Sequence, residues 1–220
     1  MLNKFTRKLN PQEISYIETE ILRLTKKIKF QKRFTIVSMV ILFCLSILLF
    51  FLFSDNFKTG LALGIFVLLG LYLFTSLWTN YYNIRNNTRS LENHQFALEH
   101  QVAEIIQCHS EAILKMEDSG FEGPDYFFQV EENLIFYLGG QAYYEDEKFP
   151  NSDFEVTRIF GKEKAMVFFD LQNKGIKVKP QIVIKRKGKK KYLQSEKFPK
   201  NYEVMEGNIK TLENTLQMSR

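Results

Sequence analysis

The chain has only two cysteines, one tryptophan, five prolines and three histidines in 220 residues. Two thiols, one of them (Cys44) inside a long apolar run, build no disulfide scaffold, and both flanks read as reducing-compartment sequence. Charge is missing altogether from residues 34–53 and 60–79, two apolar runs of 20 residues each. Within them nothing but the Cys44 thiol ionises readily, which argues against a proton relay or an ion-coupled transporter. No glycine or proline lies between Pro11 and Gly60, so nothing there punctuates a helix. A cleavable signal peptide is not expected, since 33 patterned residues precede the first run and 20 apolar residues exceed a typical signal core. There is no internal repeat and no low-complexity tract. No catalytic, cofactor or metal motif is present, so the expectation is a protein that is not an enzyme, with no cofactor and no metal.

What is there begins with the two runs. A helix of 20 residues is roughly 30 Å long, the thickness of a hydrocarbon core. Six residues, Ser54 to Thr59, separate them. The reading is a transmembrane helical hairpin, with spans at 34–53 and 60–79. Lys26, Lys27, Lys29, Lys32 and Arg33 crowd the approach to the first span, Arg85 and Arg89 follow the second, and the loop holds only Lys58. The positive-inside rule then places both termini in the cytoplasm, with a bacterial inner membrane favoured. Trp78, Tyr81 and Tyr82 stand where an interfacial aromatic belt belongs. Gly60 and Gly64 form a GxxxG, a motif that brings helix backbones close in lipid; ordinary packing within the hairpin, or chance, is the simpler account.

Residues 1–33 read as an N-terminal amphipathic helix. Asn10-Pro11-Gln12-Glu13 is a helix start, with Asn as N-cap, Pro in the first turn and Glu at the third position. Ile14, Ile17, Ile21, Leu24 and Ile28 recur at heptad spacing. After the second span Leu91, Gln95, Leu98, Val102, Ile105, His109, Ala112 and Met116 alternate by four and three. Residues 80–118 are therefore expected to form a coiled-coil-like helix that pairs with the first as an antiparallel stalk. Its longer arm leaves Leu98, Val102, Ile105, Ala112 and Met116 as an uncovered oligomer seam.

From Gly123 the period becomes two. Strands are expected at 126–130 and 134–138, then at 154–160 and 165–171 around Gly161-Lys162-Glu163-Lys164. The alternation of Ile176, Val178, Pro180, Ile182 and Ile184 predicts a half-buried antiparallel strand, and residues 192–194 its return. Residues 123–205 thus read as a small antiparallel β domain, and 206–220 as a C-terminal amphipathic helix.

The remaining candidates are weaker. Lys185, Arg186, Lys187, Lys189, Lys190 and Lys191 sit at the expected hairpin tip and are an anion-binding candidate. No aromatic side chain interleaves them, so a solvated turn guarding an edge strand is the simpler reading, and nucleic acid is disfavoured. His100, Glu104, Cys108 and Glu111 would span about 16 Å of helix, too far for one metal ion. Arg89 and His94 match a ribonuclease spacing that chance supplies readily. The segment 143–153 is the longest loop of the β region.

In the order and size of its parts the layout resembles two-transmembrane effectors of bacterial immunity such as SLATT-type proteins. No functional residues are carried over from that likeness, which rests on no shared motif. The expected function is a homo-oligomeric two-pass membrane protein, effector or pore-like, whose cytoplasmic β domain binds a protein or small ligand. The alternative is a passive anchor or scaffold subunit. Expected partners are the lipid bilayer and further copies of the chain.

Overall fold

The computed structural model describes residues 1–52, 59–118, 120, 122–186, 189 and 198–212, with side chains throughout except at 46, 49–52, 59–67 and 69. Two compact units emerge. The β unit comprises Met1–Arg7, Ala103–Arg158 and Phe169–Arg220, and the helical unit comprises Lys8–Val102 and Ile159–Phe168.

The helical unit is built from α1 (Pro11–Leu52) and α2 (Thr59–His100), which pack along one another. The start of α1 follows from its residues. Asn10 Oδ1 accepts from the Glu13 amide at 2.8 Å, and Glu13 Oε2 accepts from the Asn10 amide at 2.8 Å, a reciprocal capping box. The end of α2 has no such signature. Gln101 adopts a left-handed φ of 51° without being glycine, and its carbonyl accepts from the Leu9 amide at 3.1 Å.

The β unit holds two sheets. Among the described residues the first runs β1 (Leu2–Lys8), β2 (Val102–His109), β6 (Asp153–Phe160), β7 (Met166–Asn173). The second runs β8 (Ile182–Ile184), β3 (Ala112–Met116), β4 (Asp125–Glu131), β5 (Leu134–Gly139), β9 (Val204–Glu206). The central hairpin β4–β5 turns at Glu132-Asn133 and pairs Phe127 with Tyr137 and Phe128 with Phe136. Its alternate residues supply both faces. Tyr126, Phe128, Phe136 and Leu138 meet Ile106, Phe154 and Val156 of the first sheet. Phe127, Ile135 and Tyr137 join Leu114, Met116 and Ile209 in a second core, against which Phe198 and Leu212 pack. A sheet buried on both faces reads as a continuous apolar run, as 126–128 and 134–138 do.

Several expectations are corrected here. Among the described residues no helix is long and apolar enough to cross a membrane. The two-pass membrane fold, the effector, pore and anchor readings built on it, and the inner-membrane placement with cytoplasmic termini are withdrawn. The loop 53–58 lies outside the described residues, as do the surroundings of Gly60 and Gly64.

The coiled-coil-like helix over 80–118 is also corrected. α2 stops at His100, and Val102, Ile105, Ala112 and Met116 lie in β2 and β3. The spacing of four and three was coincidental there. Ile105 and Ile106 are both buried, at 1% and 2% exposure, as a strand covered on both faces requires and a helical stripe does not. The long unpartnered arm and its oligomer seam therefore vanish. The β domain is neither purely C-terminal nor purely antiparallel. Residues 2–8 form its strand β1 and not the start of a helix, and β8 pairs with β3 in parallel, Leu114 opposite Ile182. Of the expected C-terminal helix, 209–212 is helical and 213–220 lies outside the described residues.

Candidate functional site

Polarity inverts along the helical unit. In the half built from 13–28 and 90–100, Ile17, Leu24, Ile28 and Ala97 are buried, and the lysine, arginine and most glutamate side chains, the buried Glu13 of the capping box apart, face outward. This is the pattern water selects. Beyond Phe30 on α1 and Tyr82 on α2 it reverses. The less exposed positions now include Gln31, Thr35 and Ser38 on α1 and Ser76 and Asn80 on α2, beside Leu42, Leu73 and Leu77. Many outward positions are large and apolar: Phe30, Phe34, Ile36, Val37, Phe43, Leu71, Phe74 and Trp78 are each more than half exposed.

The inner polar groups bond across the helices. Asn80 Nδ2 donates to the Gln31 carbonyl at 3.0 Å and to Thr35 Oγ1 at 2.5 Å, and Asn87 Nδ2 donates to Gln31 Oε1 at 2.9 Å. These bonds set the register. Thr35 meets Asn80 while Gln31, earlier on α1, reaches Asn87, later on α2, so the helices run antiparallel. Threonine hydroxyls on the outer side are returned to their own helix, Thr75 to the Tyr72 carbonyl and Thr79 to the Thr75 carbonyl, both at 2.8 Å. Trp78, Tyr81 and Tyr82 stand at the boundary between the two patterns, with Phe74 stacked on Trp78 at 6.2 Å between centroids.

The basic run behaves differently from its sequence reading. Lys185 and Arg186 are exposed, and Lys187, Lys190 and Lys191 lie outside the described residues. Lys189 is 1% exposed. Its ammonium meets Asp125 Oδ2 at 2.8 Å and the Gly123 carbonyl at 2.7 Å, while Tyr137 donates to Asp125 Oδ1 at 2.8 Å. Burial raises the Asp125 carboxyl above the usual range, outweighing the hydrogen bonds from Lys189 and Tyr137 that pull it down. The close approach of β5 needs a glycine, since a Cβ on Gly139 would stand 2.1 Å from the Tyr137 hydroxyl and 2.3 Å from Asp125 Oδ1. Lys189 is thus spent inside the β unit and is not offered to a ligand.

No family model, curated protein or solved structure matches this chain. The geometry alone carries the functional argument.

Of the other sequence candidates, His100 ends α2 while Glu104 and Cys108 share β2, so the supposed helical stripe does not exist. Among the described residues no group of three His, Cys, Asp or Glu side chains could hold a metal. Burial pushes the Cys108 thiol up to about 12, which leaves it protonated and unreactive near neutral pH. His94 is buried with Nδ1 2.7 Å from the Ser90 carbonyl, a side chain satisfied within its own helix. Sequence reasoning missed Gln31, Asn80 and Asn87. Their signal was available: Asn80 and Asn87 stand seven apart, on the same helical face as Ser76.

Proposed function

We propose that this chain is a non-enzymatic lipid-surface binding protein. The outward face of the inverted half of the helical hairpin is its lipid-contacting element. The proposal concerns contact with lipid and not a crossing of the bilayer. The β unit is the part available to a protein or small ligand.

The inverted polarity is the observation that carries this reading. A large apolar side chain left in water forgoes about 1.5–3 kcal/mol, and exposed apolar patches beyond a few hundred Å² mark interaction surfaces. Amides and hydroxyls turned inward to bond across helices are the arrangement favoured where the surroundings offer no hydrogen bonds. The extent of the surface selects among apolar surroundings. Exposed Ile36, Val37, Met39, Val40, Ile41 and Phe43 cover roughly 200° of the circumference of α1 at 100° per residue. A second copy of the chain covers one side of a helix, whereas a fluid lipid phase covers the whole arc.

Trp78 is the chain's only tryptophan and is 66% exposed at the edge of this surface. Detergent-purified full-length protein diluted into phospholipid vesicles should float with them and shift its tryptophan emission to shorter wavelength. Emission that does not respond to vesicles, together with a discrete multimer in lipid-free sedimentation, would assign the surface to self-association instead.

A further inference from the structure

The geometry points to anionic lipid headgroups as the partner of a cationic collar around the helical unit, formed by Lys26, Lys27, Lys29, Lys32 and Arg33 of α1 and Arg85 of α2. This inference rests on the lipid-surface reading and names the headgroup chemistry that surface takes.

Three observations carry it. The first is position. The interhelical bonds of Gln31 place residues 26–33 of α1 alongside the stretch of α2 that holds Tyr81, Tyr82 and Arg85. The collar therefore lies where the polarity inverts, next to the exposed rings of Trp78, Tyr81 and Tyr82. Cations bordering aromatic rings and an apolar surface match the order of headgroup, interface and acyl chain.

The second is the absence of compensation. No aspartate or glutamate occurs on α1 after Glu20 or on α2 before Glu92. All six collar side chains are exposed, and among the described residues none of them forms an ion pair. The cations just outside the collar are neutralised within the chain. Arg23 pairs with Glu20 at 2.7 Å, and Arg89 pairs with Glu163 at 2.8 Å. Along α1 and α2, among the described residues, charge of one sign is left open at the inversion.

The third is distribution. At 100° per residue Lys26, Lys27, Lys29, Lys32 and Arg33 spread around α1 and do not form one stripe. Cations on several sides of α1 leave some of them turned toward a charged lipid surface whichever part of the apolar arc meets it. A groove for one elongated polyanion needs a line of cations and stacking partners along it.

The test uses the full-length protein with two kinds of vesicle, pure phosphatidylcholine and phosphatidylcholine mixed with phosphatidylglycerol. Each cation near an anionic surface strengthens binding about fivefold. The expected preference for anionic vesicles is about a hundredfold or more at low salt. It should shrink to a few-fold near 1 M salt, where the screening length is about 3 Å. The variant K26Q/K27Q/K29Q/K32Q/R33Q should lose most of the preference while keeping its far-ultraviolet dichroism. The control K179Q/K185Q/K210Q, on the β unit, should keep the preference. Equal binding to both vesicles overturns the collar inference and leaves the lipid reading standing. Binding to neither overturns both. A short DNA duplex that displaces the protein from anionic vesicles at equal phosphate concentration overturns the assignment to lipid.

Discussion

Lys189 shows how little a side chain's neighbours in sequence say about its job. In Lys185-Arg186-Lys187-Gly188-Lys189 nothing local separates the buried lysine from the exposed ones. Only the tertiary structure does, by setting Asp125 and the Gly123 carbonyl beneath it. Lys189→Met should cost about 3–5 kcal/mol near neutral pH, because it strands the Asp125 carboxylate in the core. The pH dependence has a definite sign. The folded-state pKa of Asp125 is raised above its unfolded value, so the folded protein holds that proton more tightly, and its contribution to stability is lost as pH rises through the folded pKa. Removing Lys189 raises that pKa further. Denaturant titrations should therefore find the variant's penalty largest at neutral pH and smaller in acid, with Asp125→Asn recovering part of it. A penalty that does not vary with pH would mean that Lys189 acts through packing alone.

At the scale of elements, what was legible and what was not divide by where the stabilising information lies. The capping box of α1, the β4–β5 hairpin and the β6–β7 pair coincide with sequence signals, because caps, turns and alternation are local. The end of α2 was not legible, because Gln101 enters the left-handed region without the glycine that announces it. The helical pattern then ran on through β2 and β3, where the β-branched pair Ile105-Ile106 was the overlooked warning. The interhelical amides Gln31, Asn80 and Asn87 were not legible as partners, because uncharged side chains on two separate helices carry no signal of their pairing. A left-handed non-glycine residue costs about 1–2 kcal/mol, part of which glycine returns as backbone entropy. Gln101→Gly should therefore raise the unfolding midpoint, by a stability gain of a few tenths to about 1 kcal/mol. A loss would show that the Gln101 side chain has work of its own at the junction between α2 and β2.

At the scale of the whole molecule, the two units obey different solvent rules. The β unit sorts its residues for water, with aromatic cores on both faces of the second sheet and its lysines, the paired Lys189 apart, mostly outward. The far half of the helical unit sorts them the other way. The two cysteines sample one unit each. Cys108 is buried in the β unit, with its thiol held at about 12 by burial, and Cys44 is exposed on the apolar half of α1. A water-soluble maleimide at neutral pH should therefore leave Cys108 unlabelled until the β unit unfolds, since the thiolate is the reactive form. Cys44 should label readily in lipid-free protein and slow by about tenfold or more on vesicles, where both the reagent and the thiolate are excluded. The pair of thiols thus separates two outcomes in one experiment. If vesicles slow Cys44 and leave Cys108 silent, lipid acts on the inverted half alone. If Cys44 labels at the same rate with and without vesicles while the protein floats with them, lipid is met by some other surface, and the inverted hairpin is not the element that binds it.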